Sequence, residues 1–210
     1  MAKKANKRLH RSDTKAEMIQ IAEKIVSAEG LSALTARRVA IDAGVAVGTT
    51  YNIFENLGAL VAEVNARTLA DLAAALSGVK IGEGSTHDVL MGFADRYMDF
   101  VRDNPHLWMA VFEVELPDAG QMLPNQAPID LLFSFLEDAI CAHDNRIDAQ
   151  MARRSARGLW AAIHGLLMLS ASNRLPAIRL ENVRPTIDHL VTCHMLGMDA
   201  LVKTQQKQSP

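Results

Sequence analysis

Apolar residues recur at steps of three and four along nearly the whole chain, the spacing of amphipathic helices. Met18, Ile21, Ala22, Ile25 and Ala28 form the first stripe. Thr14 and Glu17 have capping-box spacing at its start, and Gly30 is placed to stop it. A second helix is predicted from the N-cap residue Thr35 to Ala43, a sharp turn at Gly44, and a third helix over 47–54. Asn56 is placed to cap a fourth, with Leu57, Leu60, Val61, Val64, Thr68, Leu69 and Leu72 on one face. The segment 78–85, with three glycines, breaks the pattern. Thr86 is then expected to cap a helix carrying Val89, Leu90, Phe93, Tyr97 and Phe100, which stops at Asn104-Pro105. A short helix with Trp108, Val111 and Phe112 follows, then a proline-containing loop over 116–128. Helices are predicted over 129–143, 148–173 and 183–203, with Pro176 in the last loop. No convincing period-2 strand and no repeat occurs, so the expected fold is all-α with about nine helices.

The stretch from Thr35 to Phe54 carries the most information. Two short helices flank Gly44; Val39, Ala40 and Ala43 face inward, Ala40 is small where the helices cross, and Val45 plugs the gap. This is the logic of a helix-turn-helix, whose second helix enters a DNA major groove. Helical geometry turns Thr50, Ile53 and Phe54 inward and sets Val47, Gly48, Thr49 and Asn52 towards the groove. Gly48 permits close approach, Thr49 and Asn52 can bond to base edges, and Val47 can touch a thymine methyl. The Thr35 hydroxyl and the N–H groups after it suit a phosphate.

The run Gly48-Thr49-Thr50-Tyr51, then Phe54 two residues after Asn52 and Leu60 in a long helix, closely resembles the TetR/AcrR family of transcriptional repressors. The resemblance is strong over about residues 13–65. It departs at Ala46, where a capping Ser is common, at Thr50 for an aliphatic residue, at Ile53 for a His, and at Leu57 for a Lys. Far downstream, Trp160, His164 and Gly165 repeat the Trp-x-x-x-His-Gly signature of one TetR subgroup. The resemblance implies a three-helix helix-turn-helix domain with a basic arm over 1–56, and a ligand-binding and dimerisation domain over 57–210. It also implies a phosphate contact from the Tyr51 hydroxyl.

Charge agrees with a nucleic-acid partner at one end only. Of the 22 basic residues nine lie before residue 56, against six of the 24 acidic ones, a net of +3 there and −5 over the remainder. Lys3, Lys4, Lys7, Arg8 and Arg11 precede any acid and, with Arg37, supply salt-dependent attraction to phosphates. Length suits one or two domains, and 49% hydrophobic with 22% charged residues excludes a largely disordered chain. No apolar run reaches a membrane span, no secretory signal is evident, and two cysteines suit a reducing cytoplasm.

In the second domain, Arg157, Trp160, His164 and Met168 share one face of a long helix. With Phe93, Tyr97, Trp108, Phe112 and Phe133 they are the candidate lining of a ligand pocket suited to a mainly apolar molecule. Ala161, Ala162 and Gly165 offer a face for close helix contact. Ile187, Leu190, His194, Met198 and Leu201 form a stripe that must pack on the core or on a partner, and the last two helices are expected to make a four-helix homodimer contact.

The resemblance therefore implies a ligand-responsive regulator, a repressor released from a palindromic operator by a small inducer. The rival reading is an all-helical protein-interaction module without specific DNA binding. No G-x-S-x-G elbow, P-loop or H-E-x-x-H occurs, so no enzyme is expected. Cys141, His143, Cys193 and His194 match no zinc-finger spacing, so neither metal nor cofactor is expected.

Overall fold

In a computed structural model the described residues are 2–113, 126–171 and 182–206, with side chains over 12–113, 127–171 and 182–204. Among them are nine α-helices, one 3-10 turn and no strand. The order is α1 (Ala2–Glu29), a 3-10 turn (Leu31–Ala33), α2 (Ala36–Asp42), α3 (Val47–Ile53), α4 (Leu57–Ser77), α5 (Thr86–Asp103), α6 (Pro105–Glu113), α7 (Gln126–Cys141), α8 (Ala149–Ala171) and α9 (Val183–Gln206).

Two capping assignments need correction. Thr14 and Glu17 lie inside α1, not at its start, because the preceding Ala, Lys, Arg and Leu residues are good helix formers and carry the helix back to Ala2. Ser85, not Thr86, caps α5: its Oγ accepts the Asp88 N–H at 3.1 Å while the Asp88 carboxylate accepts the Ser85 N–H at 3.0 Å. That is a reciprocal box with aspartate in place of glutamate. Asn56 caps α4 as expected, its Oδ1 accepting the Ala59 N–H at 2.9 Å, and Asp148 does the same for α8 through Met151 at 2.7 Å. Helix α7 begins at Gln126, inside the expected loop, and the rest of that loop, the end of the expected 148–173 helix and Pro176 lie outside the described residues.

The chain forms two compact units, residues 1–71 with 104–126, and residues 72–103 with 127–210. Packing thus groups α6 with the N-terminal helices, a division distinct from one drawn by function. The core of the first unit gathers Met18, Ala22, Ile25 and Val26 of α1, Val39 of α2, Phe54, Leu60, Val61 and Val64, and Leu107 and Ala110 of α6. Asn65 is buried there and donates to the Ala110 carbonyl at 3.2 Å, joining α4 to α6. In the second unit α5, α8 and α9 pack together around Leu90, Phe93, Val101, Ala156, Leu159, Leu167, Ile187 and Val191. Arg184 of α9 forks onto the Asp95 carboxylate of α5 at 2.7 and 2.9 Å.

Candidate DNA-binding surface and aromatic site

Helix α2 is held at both ends. The Thr35 hydroxyl accepts the Arg38 N–H at 3.2 Å. At the other end Gly44 adopts φ 65°, its N–H bonds to the Ile41 carbonyl at 3.0 Å, and Val45 N–H reaches back to Ala40 at 2.9 Å. These two bonds make a Schellman closure, which needs a left-handed residue and finds glycine. The closure fixes the direction in which the chain enters α3. Val39 and Ala40 are fully buried, Val45 is half-buried against the same core, and the Thr50 hydroxyl points at the Ala36 carbonyl 3.5 Å away.

The two sides of α3 separate as helical geometry requires. Thr50 is 1% exposed and Phe54 is buried, with the Lys15 ammonium 5.8 Å from its ring. Val47, Gly48 and Asn52 are exposed, and Tyr51 is 57% exposed, a large burden of accessible ring for a folded surface. Thr49 is half-buried. A Cβ added at Gly48 would meet nothing within 4 Å. Thr35 and Arg37 are exposed beside them on α2, whereas Arg38 is engaged, forking onto Glu29 at 2.9 and 2.5 Å. The side chains of Lys3, Lys4, Lys7, Arg8 and Arg11 lie outside the described ones; their backbone continues α1.

The second unit contains a ladder of rings contributed by α5, α7 and α8. Tyr97 Oη lies 2.8 Å from His164 Nδ1, donating when that nitrogen carries no proton. Trp160 stacks on His164 at 4.7 Å, Phe133 meets Trp160 edge-on at 5.4 Å, and the Arg157 guanidinium sits 4.8 Å over Phe133. Phe93 is buried and stacks on Phe135 at 6.1 Å, and Met168 is half-buried on α8. Two expected members do not belong to this unit. Trp108 and Phe112 lie in the first one, where Trp108 is buried and the two rings meet edge-on at 5.6 Å. The α6 apolar face is part of that core, which the aromatic content of the sequence did not reveal. Sequence reasoning also missed Phe135 and Glu137, the latter accepting from Arg157 at 2.7 Å. A contact between side chains twenty residues apart on different helices leaves no local signal.

Burial holds the His164 imidazole below its ordinary range, and does the same to His194, whose Nε2 lies 2.5 Å from the Ser155 hydroxyl. The unfolded chain protonates both rings near pH 6.5, the folded chain only further down. The unfolded state therefore binds more protons below about pH 6.5, and stability falls as the pH drops through that window. Thermal unfolding is expected to show a lower melting temperature at about pH 5.5 than at about pH 7.5, and a smaller loss in the His164→Gln, His194→Gln double variant.

The outer faces of α8 and α9 are small and apolar. Gly158, Ala161, Ala162 and Leu169 are exposed on α8 with Gly165 half-exposed between them. On α9, Leu196 is 64% exposed beside Cys193, Gly197, Ala200 and Leu201, all exposed. This revises the stripe read from the sequence: Ile187 and Met198 are buried in the chain's own core, and His194 turns to Ser155. Of that stripe Leu201 alone is exposed, because the stripe is the face that α9 uses to pack on α5 and α8.

A helix-turn-helix beside further helices is a build that DNA-binding proteins use, and the comparisons with known proteins make this specific. Residues 90–194, half of the chain, match the family model for the "Tetracyclin repressor-like, C-terminal domain". The fold is shared with a TetR-family transcriptional regulator from Streptomyces coelicolor, at 19% identity over 95% of this chain and 90% of that one, with a TM-score of 0.66. A TetR transcriptional regulator from Rhodococcus sp. RHA1 gives 17%, 87%, 96% and 0.63 for the same quantities. The transcriptional regulator FadR from Bacillus subtilis, solved in complex with stearoyl-CoA, gives 16%, 84%, 96% and 0.60. No curated protein sequence matches. The chain belongs to the TetR family of DNA-binding transcriptional regulators.

Proposed function

We propose that this protein is a ligand-responsive repressor that binds a palindromic operator as a homodimer and leaves it when a small, mainly apolar inducer binds. In this reading residues 1–56 read DNA, residues 57–210 hold the ligand and the partner subunit, and the protein works in the cytoplasm without catalysing a reaction. No helix among the described residues is long and apolar enough to cross a membrane.

The observation that carries the reading is the division of α3. Thr50 and Phe54 anchor the helix in the core while Val47, Gly48, Tyr51 and Asn52 stand on its open side. A short helix with a glycine, two polar groups and a phenol on its exposed face suits a major groove: Thr49 and Asn52 for base edges, Val47 for a thymine methyl, Tyr51 for a phosphate. The Thr35 hydroxyl, which accepts one bond already, retains its proton for a phosphate, and Arg37 adds charge beside it.

The ligand reading draws on the ladder from Tyr97 through His164 and Trp160 to Phe133, with Phe93 and Met168. An imidazole, a phenol and the Trp160 indole N–H are the polar groups among these rings, and the Arg157 charge is balanced by Glu137. That composition suits an apolar molecule with one or two hydrogen-bonding groups. FadR is a relative in fold that was solved with an acyl-CoA, and the Trp160, His164 and Gly165 signature belongs to the same proposal.

Binding measured with operator DNA against unrelated duplex tests the contacts. Tyr51→Phe removes a bond to a charged group and is expected to weaken binding to every sequence by roughly 10- to 100-fold. Asn52→Ala is expected to relax preference at one or two base pairs, a loss of about 1–3 kcal/mol in discrimination. Unchanged affinity in both variants would remove α3 from the interface.

A further inference from the structure

The outer face of α9 also holds two metal-ligating groups, and they are not the pair that adjacency in the sequence suggests. His194 is turned to Ser155. Cys193 instead faces His189, one helical turn back, with Sγ and Nε2 3.6 Å apart and both residues exposed. Zinc bonds of about 2.3 Å to sulfur and about 2.0–2.1 Å to nitrogen, at the tetrahedral angle, place the two ligand atoms about 3.5–3.6 Å apart. The side chains therefore already stand at the edge length of a tetrahedral site.

One chain supplies only half of such a site: among the described residues no three His, Cys, Asp or Glu side chains cluster to hold an ion. The pair lies on the same exposed face of α9 as Leu196, Gly197 and Ala200. A Cβ added at Gly197 would meet nothing within 4 Å, so a second helix can approach here closely. An isologous twofold contact brings the residues close to its axis towards their own copies, so the pair completes a site where the axis passes beside it. We propose that His189 and Cys193 of two subunits together bind one zinc-class divalent ion across the dimer contact. Two thiolates and two imidazoles are the donor set such an ion prefers, and each thiol releases its proton to solvent as the ion binds.

The proposal rests on the dimer reading, and the test keeps the two apart. The full chain, reduced and in a Cys141→Ser background, is titrated with cobalt(II), and its mass is followed by sedimentation with and without metal. The expected result is one cobalt per two chains, with a thiolate-to-cobalt charge-transfer band and the intense visible bands of a tetrahedral ion. Cys193→Ser and His189→Ala, both exposed and expected to leave the fold intact by melting temperature, are expected to abolish those bands. A metal-free dimer that gives no such spectrum overturns the metal site and leaves the dimer standing. Cobalt bound at one per chain, or retained in Cys193→Ser, also overturns it. A monomer with and without metal overturns both.

Discussion

Replacing Ala162 with arginine, or Leu196 with aspartate, is expected to turn the protein into a monomer at micromolar concentration and to lower its affinity for a two-half-site operator by about 10²–10⁴-fold. The physical reason is the character of the faces concerned. Gly158, Ala161, Ala162 and Gly165 on α8 have no long side chains to hold a neighbour off, and Leu196 is an exposed leucine on α9. A charge placed at the centre of a contact of this kind is desolvated without a partner. Loss of the dimer then costs DNA binding without touching α3, because each half-site is bound alone and the effective concentration of the second recognition helix vanishes. Sedimentation and fluorescence anisotropy on the same variants check both halves of the statement. Variants that stay dimeric and bind as before would show that the subunits meet elsewhere.

Trp160→Ala and His164→Ala are expected to abolish the response to an inducer while dimerisation and operator affinity stay within a few-fold of the parent. Trp160 stacks on His164 on one side and meets Phe133 on the other, so its removal opens the middle of the ring ladder. His164 is the imidazole that the Tyr97 hydroxyl faces, and burial favours its uncharged form, which suits a neutral ligand group better than a carboxylate. If both residues serve packing alone, each substitution would lower the melting temperature and the DNA affinity together. The comparison of melting temperature, operator affinity and inducer response on one protein separates these outcomes.

Much of the fold was legible because its signals are local. The Thr35 cap, the Gly44 turn and the inward Thr50 all follow from residues within a few positions of one another, and the structure has each of them. Where a local signal was ambiguous the reading slipped: Ser85 and Thr86 are both cap residues, and only the position of Asp88 selects the first. A cap-like Thr14 does not start a helix when the residues before it are equally helical. The aromatic site was legible on α8, where Trp160 and His164 share a face, and illegible across helices. Nothing local assigns Trp108 and Phe112 to the N-terminal unit, or pairs Glu137 with Arg157. The apolar stripe on α9 was real, yet it is the face that the helix buries against α5 and α8, and the outer face is marked by small residues and the exposed Leu196 and Leu201.

The central claim is that α3 reads a specific duplex sequence. Selection of random and genomic DNA by the full-length protein, with and without candidate inducers and at two salt concentrations, tests it most directly. The account predicts enrichment of a palindrome or near-palindrome whose half-sites lie about 34–36 Å apart, one helical turn or a multiple of it, with affinity falling steeply as salt rises. Recovery of no enriched sequence under any of these conditions would contradict it and favour the reading of an all-helical interaction module.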